Sequence, residues 1–137
     1  MPFELRDHTA DVAVEATGET LGETFAAVAA GMTAAMTETI PAAGGDRFPL
    51  SVEAESREAL LFDYLDRLIY ERDVRDVLPV DHEATVEREG ERCTVEASAR
   101  GVPLADVEAR DLKAVTYSEM DLSERNGEWH AYVVFDV

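Results

Sequence analysis

The sequence predicts an α+β fold in which two helices pack on a mainly antiparallel β-sheet. Two stretches, near residues 20–39 and 56–76, repeat apolar side chains at helical spacing behind a hydroxyl residue suited to capping. The remainder reads as short alternating runs of period two. Pairs of these runs meet at Glu89-Gly90-Glu91 and Asn126-Gly127, turn sequences that favour hairpins and therefore antiparallel pairing.

Phe3 to Arg6 is a short strand leading into the turn Asp7-His8-Thr9-Ala10-Asp11. Val12 to Thr17 follows as a second strand, with Val12, Val14 and Ala16 on one face and Ala13 and Glu15 on the other. Gly18 breaks it. Thr20-Leu21-Gly22-Glu23 then forms a capping box, its hydroxyl and carboxylate serving the first free amides of a helix. Leu21, Phe25, Val28, Met32 and Met36, with Ala29 and Ala35, make one apolar stripe, the signature of a core-facing helix that should end near Thr39 before Pro41.

The Gly44-Gly45 pair marks a loop, and Phe48, Leu50, Val52 and Ala54 alternate as a half-buried third strand. Ser56 caps a second helix whose broad apolar face is Leu60, Leu61, Tyr64, Leu65, Leu68 and Ile69. Asp63, Asp66, Arg67 and Arg72 are expected outside that face, and Leu78-Pro79 stops the helix near Asp76. Strands follow at Val80–Arg88 and Arg92–Arg100, then a connector at Gly101-Val102-Pro103. A long strand spans Leu112–Leu122 and a last one Glu128–Val137. The last strand is apolar on both faces, which predicts a central position.

A chain of 137 residues with 46% hydrophobic and 7% aromatic content can bury one sizeable core, so residues 1–137 are expected to form a single domain. The most apolar run, Phe25 to Met36, is too short to span a bilayer, and nothing at the N-terminus reads as a secretory signal. One cysteine, Cys93, forms no intrachain disulfide, which fits a reducing cytoplasm.

The net charge is −18, from 30 acidic against 12 basic residues. Lys113 is the sole lysine among those 12; the others are arginine. Such a charge destabilises a compact state at low salt, and at molar salt a Debye length of roughly 3 Å screens most of it. An adaptation to a salt-rich cytoplasm, as in a halophilic archaeon, accounts for this economically. Mimicry of nucleic acid, or recruitment of a basic partner, is the alternative. The clustered Lys and Arg that direct phosphate-backbone binding requires are missing, so no direct nucleic-acid binding is expected.

Chemistry-bearing residues are few. His8, His82, His130 and Cys93 are too scattered for a zinc-type site, and Cys93 in an alternating strand reads as a buried thiol. No nucleophile elbow, P-loop or dinucleotide fingerprint is present. What remains is the cluster Asp7-His8-Thr9-Ala10-Asp11, and the acidic strand end Val133-Val134-Phe135-Asp136-Val137. The first caps an Asx-type turn, positions a proton, or supplies oxygen donors for a hard cation; the second offers further oxygens of the same kind. Lys113, alone in an arginine-rich chain, is either a chance remnant or a required point charge.

Asp7-His8-Thr9-Ala10-Asp11, Lys113-Ala114-Val115-Thr116-Tyr117 and the C-terminal Val133–Val137 together resemble the archease family. Glu58-Ala59-Leu60-Leu61-Phe62 and Leu65 to Tyr70 are similar to that family's second helix. The resemblance runs the whole chain in order and implies an α+β sandwich with two helices. It also implies a cytosolic accessory protein for an RtcB-type tRNA-splicing ligase. Such proteins promote ligase guanylylation, sustain its turnover and broaden its nucleotide use; they are activators and not enzymes in their own right. By motif, Asp11, Asp136 and the terminal Val137 match the family's divalent-metal site, usually calcium, with magnesium or manganese as alternatives. Lys113 matches the lysine that acts beside those acids, so Asp11, Lys113 and Asp136 are the activation-critical residues. Asp7 and His8 would sit behind the metal ligands or face the partner. The family pattern K-x-x-T-Y-H is broken here, since Ser118 stands where the histidine would be, and a serine cannot replace an imidazole. Two other readings of the acids stand beside this one: a metal-dependent phosphate-ester hydrolase, and a chaperone-like interaction module.

Overall fold

The computed structural model describes residues 3–7 and 11–137, with the side chains of residues 6 and 7 excepted. Strand β1 (Phe3–Asp7) and strand β2 (Asp11–Gly18) precede helix α1 (Leu21–Met36). Strand β3 (Asp46–Ala54) leads to helix α2 (Arg57–Arg75). Strands β4 (Val77–Glu89) and β5 (Arg92–Pro103), a 3-10 turn (Leu104–Asp106), β6 (Ala114–Arg125) and β7 (Glu128–Asp136) complete the chain.

The strands form two sheets with antiparallel pairing throughout, one in the order β1-β2-β7-β6 and the other β3-β5-β4. The helices lie between them. Helix α1 packs on β2 of the first sheet and β4 of the second, and α2 on β6 and β3. The fold is α+β, as the sequence predicts, and β7 is the expected central strand.

The middle-layer position changes what α1 must be. In place of one apolar stripe, it is buried on most of its circumference, including Gly22, Thr24, Gly31 and Thr33. The small residues are there because sheets approach from both sides. A Cβ on Gly31 would stand 2.5 Å from Val14 Cγ1 of β2, and one on Gly22 would run into the Ala84 carbonyl of β4. The Phe25 ring meets the Tyr64 ring of α2 at 5.8 Å between centroids. Burial pushes the Tyr64 phenol well above its ordinary range.

Both caps form as predicted: Glu23 N donates to Thr20 Oγ1 (3.1 Å) and Ala59 N to Ser56 Oγ (3.1 Å). The returning carboxylate of Glu23 takes the Glu19 amide (3.0 Å) in place of the cap residue's own. Several boundaries differ from expectation, β4 among them, which begins at Val77 and not at Val80. Helix α1 stops at Met36, where Thr37 turns extended and its hydroxyl donates to Glu108 O (2.9 Å). Gly101-Val102-Pro103 is the end of β5 and no connector, because Leu78 and Val77 of β4 pair with it. Strand β6 begins at Ala114 and runs to Arg125, carried on by the Asn126-Gly127 turn, where both residues take positive φ (54° and 79°).

The largest correction concerns Arg72. Expected outside the apolar face of α2, it is only 7% exposed, beside Glu71 at 5%. Its spacing explains this, since it lies four residues after Leu68 and seven after Leu65, on the face they bury.

Candidate functional site

Strand pairing brings the two ends of the chain together. Asp11 opens β2 and Asp136 closes β7, and the two are register partners; Ala114 of β6 pairs with Asp136 from the other side. Val12, Val14, Val133 and Phe135 enter the core, so alternation puts both aspartates on the face of the sheet turned away from the helices. The next pair on that face, Ala13 and Val134, is buried. The carboxylates therefore stand at the edge of an apolar floor. Asp11 is half-buried, with Oδ1 shielded from solvent, and Asp136 is exposed. Directly opposed residues of an antiparallel pair have Cβ atoms roughly 5 Å apart, close enough for two carboxylates to share one ligand.

Lys113 reaches the same end through its backbone, its amide donating to Asp136 O (2.8 Å). Its side chain is exposed, and among the described residues nothing forms an ion pair with its ammonium. Val137 is half-buried against the core, which places its main chain next to Asp136. Thus Asp11, Asp136, Val137 and the Lys113 backbone converge. Ser118 lies further along β6, exposed, its amide bonded to Thr116 Oγ1 (3.3 Å). The side chain of Asp7 and all of His8 lie outside the described residues.

Behind this end the buried Arg72 acts as a brace that the sequence reading missed. Its guanidinium donates to Leu112 O (2.8 Å) and Met36 Sδ (3.4 Å), pairs with Asp73 (3.0 Å) and approaches Asp111 (3.6 Å). Arg110 adds two bonds to the C-terminal end of α1, from its amide to Met36 O (2.7 Å) and from Nε to Ala35 O (2.6 Å). The segment that delivers Lys113 is thereby tied to the ends of both helices. Neighbouring Glu71 is held by Arg67 (2.9 Å) and Arg75 (2.7 Å). Burial pushes its carboxyl up, but the bonds and charges of Arg75 and Arg67 outweigh this and leave it below the usual range.

The donor chemistry fits a hard cation: anionic oxygens, with neither thiolate nor imidazole among the described residues at this end. Among the described residues no three His, Cys, Asp or Glu side chains are grouped to hold a metal. Among the described residues, the two aspartates are the anionic side chains that the strand pairing sets side by side at this end. No helix among the described residues is long and apolar enough to cross a membrane.

Comparison with known proteins agrees with this architecture. The family model of the archease protein family (MTH1598/TM1083) matches residues 3–137. The archease of Aeropyrum pernix is 34% identical over 135 residues, covering 96% of this chain and 94% of that protein. That of Methanosarcina mazei is 32% identical over 140 residues, covering 98% and 95%. The solution structure of Methanobacterium thermoautotrophicum protein 1598 superposes with a TM-score of 0.88 at 27% identity, covering 99% of each chain. A Thermotoga maritima archease, described as a possible chaperone, shares the fold with a TM-score of 0.63 at 22% identity, covering 98% of this chain and 96% of that one. With two helices between antiparallel sheets and a family match from the first described strand to the last residue, this chain belongs to the archease family.

Proposed function

We propose that this protein is a cytoplasmic activator of an RtcB-type tRNA-splicing ligase, promoting its guanylylation so that the ligase turns over repeatedly. Family membership supports an accessory role, and one observation carries the reading to particular residues: Asp11 and Asp136 opposed in register, with Lys113 bonded through its amide to the same residue. Asp11, Asp136 and the Val137 carboxylate would hold a divalent cation, calcium or, alternatively, magnesium or manganese. When bound, that cation supplies positive charge for phosphate oxygens. The chain's own residues do the positioning. The β2–β7 ladder sets the spacing of the carboxylates, and the Arg72 and Arg110 bonds fix the approach of Lys113. Lys113 offers a mobile point charge at the rim, suited to a nucleotide phosphate or a partner carboxylate.

The acidic surface supports a protein partner over an RNA one, because a net charge of −18 repels a phosphate backbone. Purified ligase with RNA ends and GTP, assayed under multiple turnover with and without this protein, tests the proposal. Stimulated guanylylation and ligation are expected. No stimulation overturns it; turnover of phosphate esters by the isolated protein, or capture of many unfolded clients, would replace it with a hydrolase or a chaperone-like module.

A further inference from the structure

Helix α2 has an outward face that does not look like an ordinary solvated one. At about 100° per residue, Tyr70 lies diametrically opposite the buried centre of the helix, flanked by Val74 and, two turns back, Phe62. Tyr70 is 56% exposed and Val74 62%. Isolated exposed apolar residues are commonplace, but here a second element adds to the same face. Strand β6 bulges: Thr116 pairs with Val134 and Asp121 with Tyr132, so the four residues Tyr117–Met120 stand against the single residue Val133. Glu119 takes a positive φ of 57° within the bulge. The displaced Tyr117, 55% exposed, lays its ring on Phe62 with centroids 4.1 Å apart and planes 4° from parallel. Bulges of this kind re-aim side chains near functional sites.

We propose that this aromatic face, Tyr70, Val74 and the Phe62–Tyr117 stack, docks an arginine-bearing protein surface on the ligase of the proposed function, and the inference rests on that reading. Charge selects the occupant. Asp63, Asp66 and Asp73 stand among these residues on the outward side of α2, and loss of hydration followed by the Asp63 charge raises the Tyr117 phenol. A second copy of this chain would bring the same carboxylates face to face, and a nucleic acid would bring phosphates to them. A cationic protein surface meets neither penalty. The rings specify guanidinium over ammonium, since Arg stacks on aromatic faces. Arg67 already holds its guanidinium 6.0 Å from the Tyr70 ring. The face lies near the site but around the sheet edge from it. Edge strand β6 runs from Ala114, partner of Asp136, to Tyr117, a span of roughly 10 Å at about 3.3 Å per residue, with Tyr117 on the helix side and the aspartates on the other. A partner docked here sits beside the sheet edge that leads to the carboxylate end. Ring–guanidinium contact acts at short range, so the complex should also survive salt that abolishes long-range attraction.

The test uses the full chain and purified ligase, with binding measured by calorimetry in low and molar KCl and stimulation measured in parallel. Tyr117→Ser and the double variant Tyr70→Ser, Val74→Ser should each weaken binding at least tenfold at both salts. The double variant should keep the wild-type melting temperature, because Tyr70 and Val74 are exposed; Tyr117→Ser also loses the Phe62 stack and should melt a few degrees lower while remaining folded at the assay temperature. Tyr117→Phe and Tyr70→Phe should bind normally, and Glu87→Ser on distant β4 should have no effect. Wild-type binding by the serine variants, while the wild-type protein stimulates the ligase, overturns the docking face alone. A wild-type dimer that the serine variants turn into monomer assigns the face to self-association and overturns it too. Absence of any binding or stimulation by the wild-type protein overturns the accessory reading, and the docking face with it.

Discussion

Asp11 and Asp136 are direct register partners across β2 and β7, on the side of the sheet turned away from the helices. Two carboxylates from opposite ends of the chain are thus fixed by backbone pairing alone. Asp11→Asn or Asp136→Asn preserves shape and removes the charge that would hold a dication. Each is expected to lower ligase stimulation at least tenfold, while the unfolding midpoint stays within a few degrees of wild type. Normal stimulation by both variants would remove the metal from the proposal.

Lys113 is placed by its amide, not by its ammonium. Lys113→Arg should therefore fold as wild type yet stimulate the ligase several-fold less, because a planar guanidinium is not a compact point charge. Guanylylation rates for the two proteins, alongside their melting curves, separate the effects. Equal rates would make this lysine incidental.

Appending residues after Val137 converts its carboxylate to an amide and runs extra chain past Asp136. A C-terminal tag should reduce both calcium affinity and ligase stimulation, and an N-terminal tag of equal length should leave them near normal. Isothermal titration with calcium reads the first and multiple-turnover ligation the second. Equal behaviour of the two tagged proteins would reduce Val137 to a strand end.

His82 provides a pH test independent of the site. Its Nε2 lies 2.8 Å from Thr33 Oγ1, whose hydroxyl donates to Pro79 O (2.7 Å), and its Nδ1 is buried without a hydrogen-bond partner. Burial pulls the imidazole from 6.5 down to about 4, so it is neutral in the folded chain. Between those values the unfolded chain takes up a proton that the folded one refuses. Stability is therefore full above pH 6.5 and falls as pH drops toward 4, by on the order of 2–3 kcal/mol. His82→Gln should lack this component, so the stability difference between the two proteins should change across that window. A constant difference would contradict a neutral buried imidazole.

Salt should matter for the whole fold. A net charge of −18 on 137 residues repels itself, and the unfolding midpoint is expected to rise by many degrees from low to molar KCl. A midpoint independent of salt would leave the acidity to a basic partner.

Local chemistry made much of this protein legible in its sequence. The caps at Thr20 and Ser56, the hairpin at Asn126-Gly127, the faces of β2 and β7 and the central place of β7 all follow from period and turn preference. Those are properties of a few adjacent residues. Asp11 and Asp136 could be singled out as oxygen donors by residue type, and only motif resemblance connected them.

Tertiary structure decided the rest. Register between chain ends, set by long-range pairing, made the two aspartates neighbours. A second sheet behind α1 buried its small-residue face, and the meeting of both helix ends with residues 110–113 buried Arg72, whose charge had argued for solvent. The same packing left Tyr70 and Val74 outside and let the β6 bulge bring Tyr117 onto Phe62. A sequence fixes which face of an element is apolar, but which faces find a partner depends on layers assembled from distant segments.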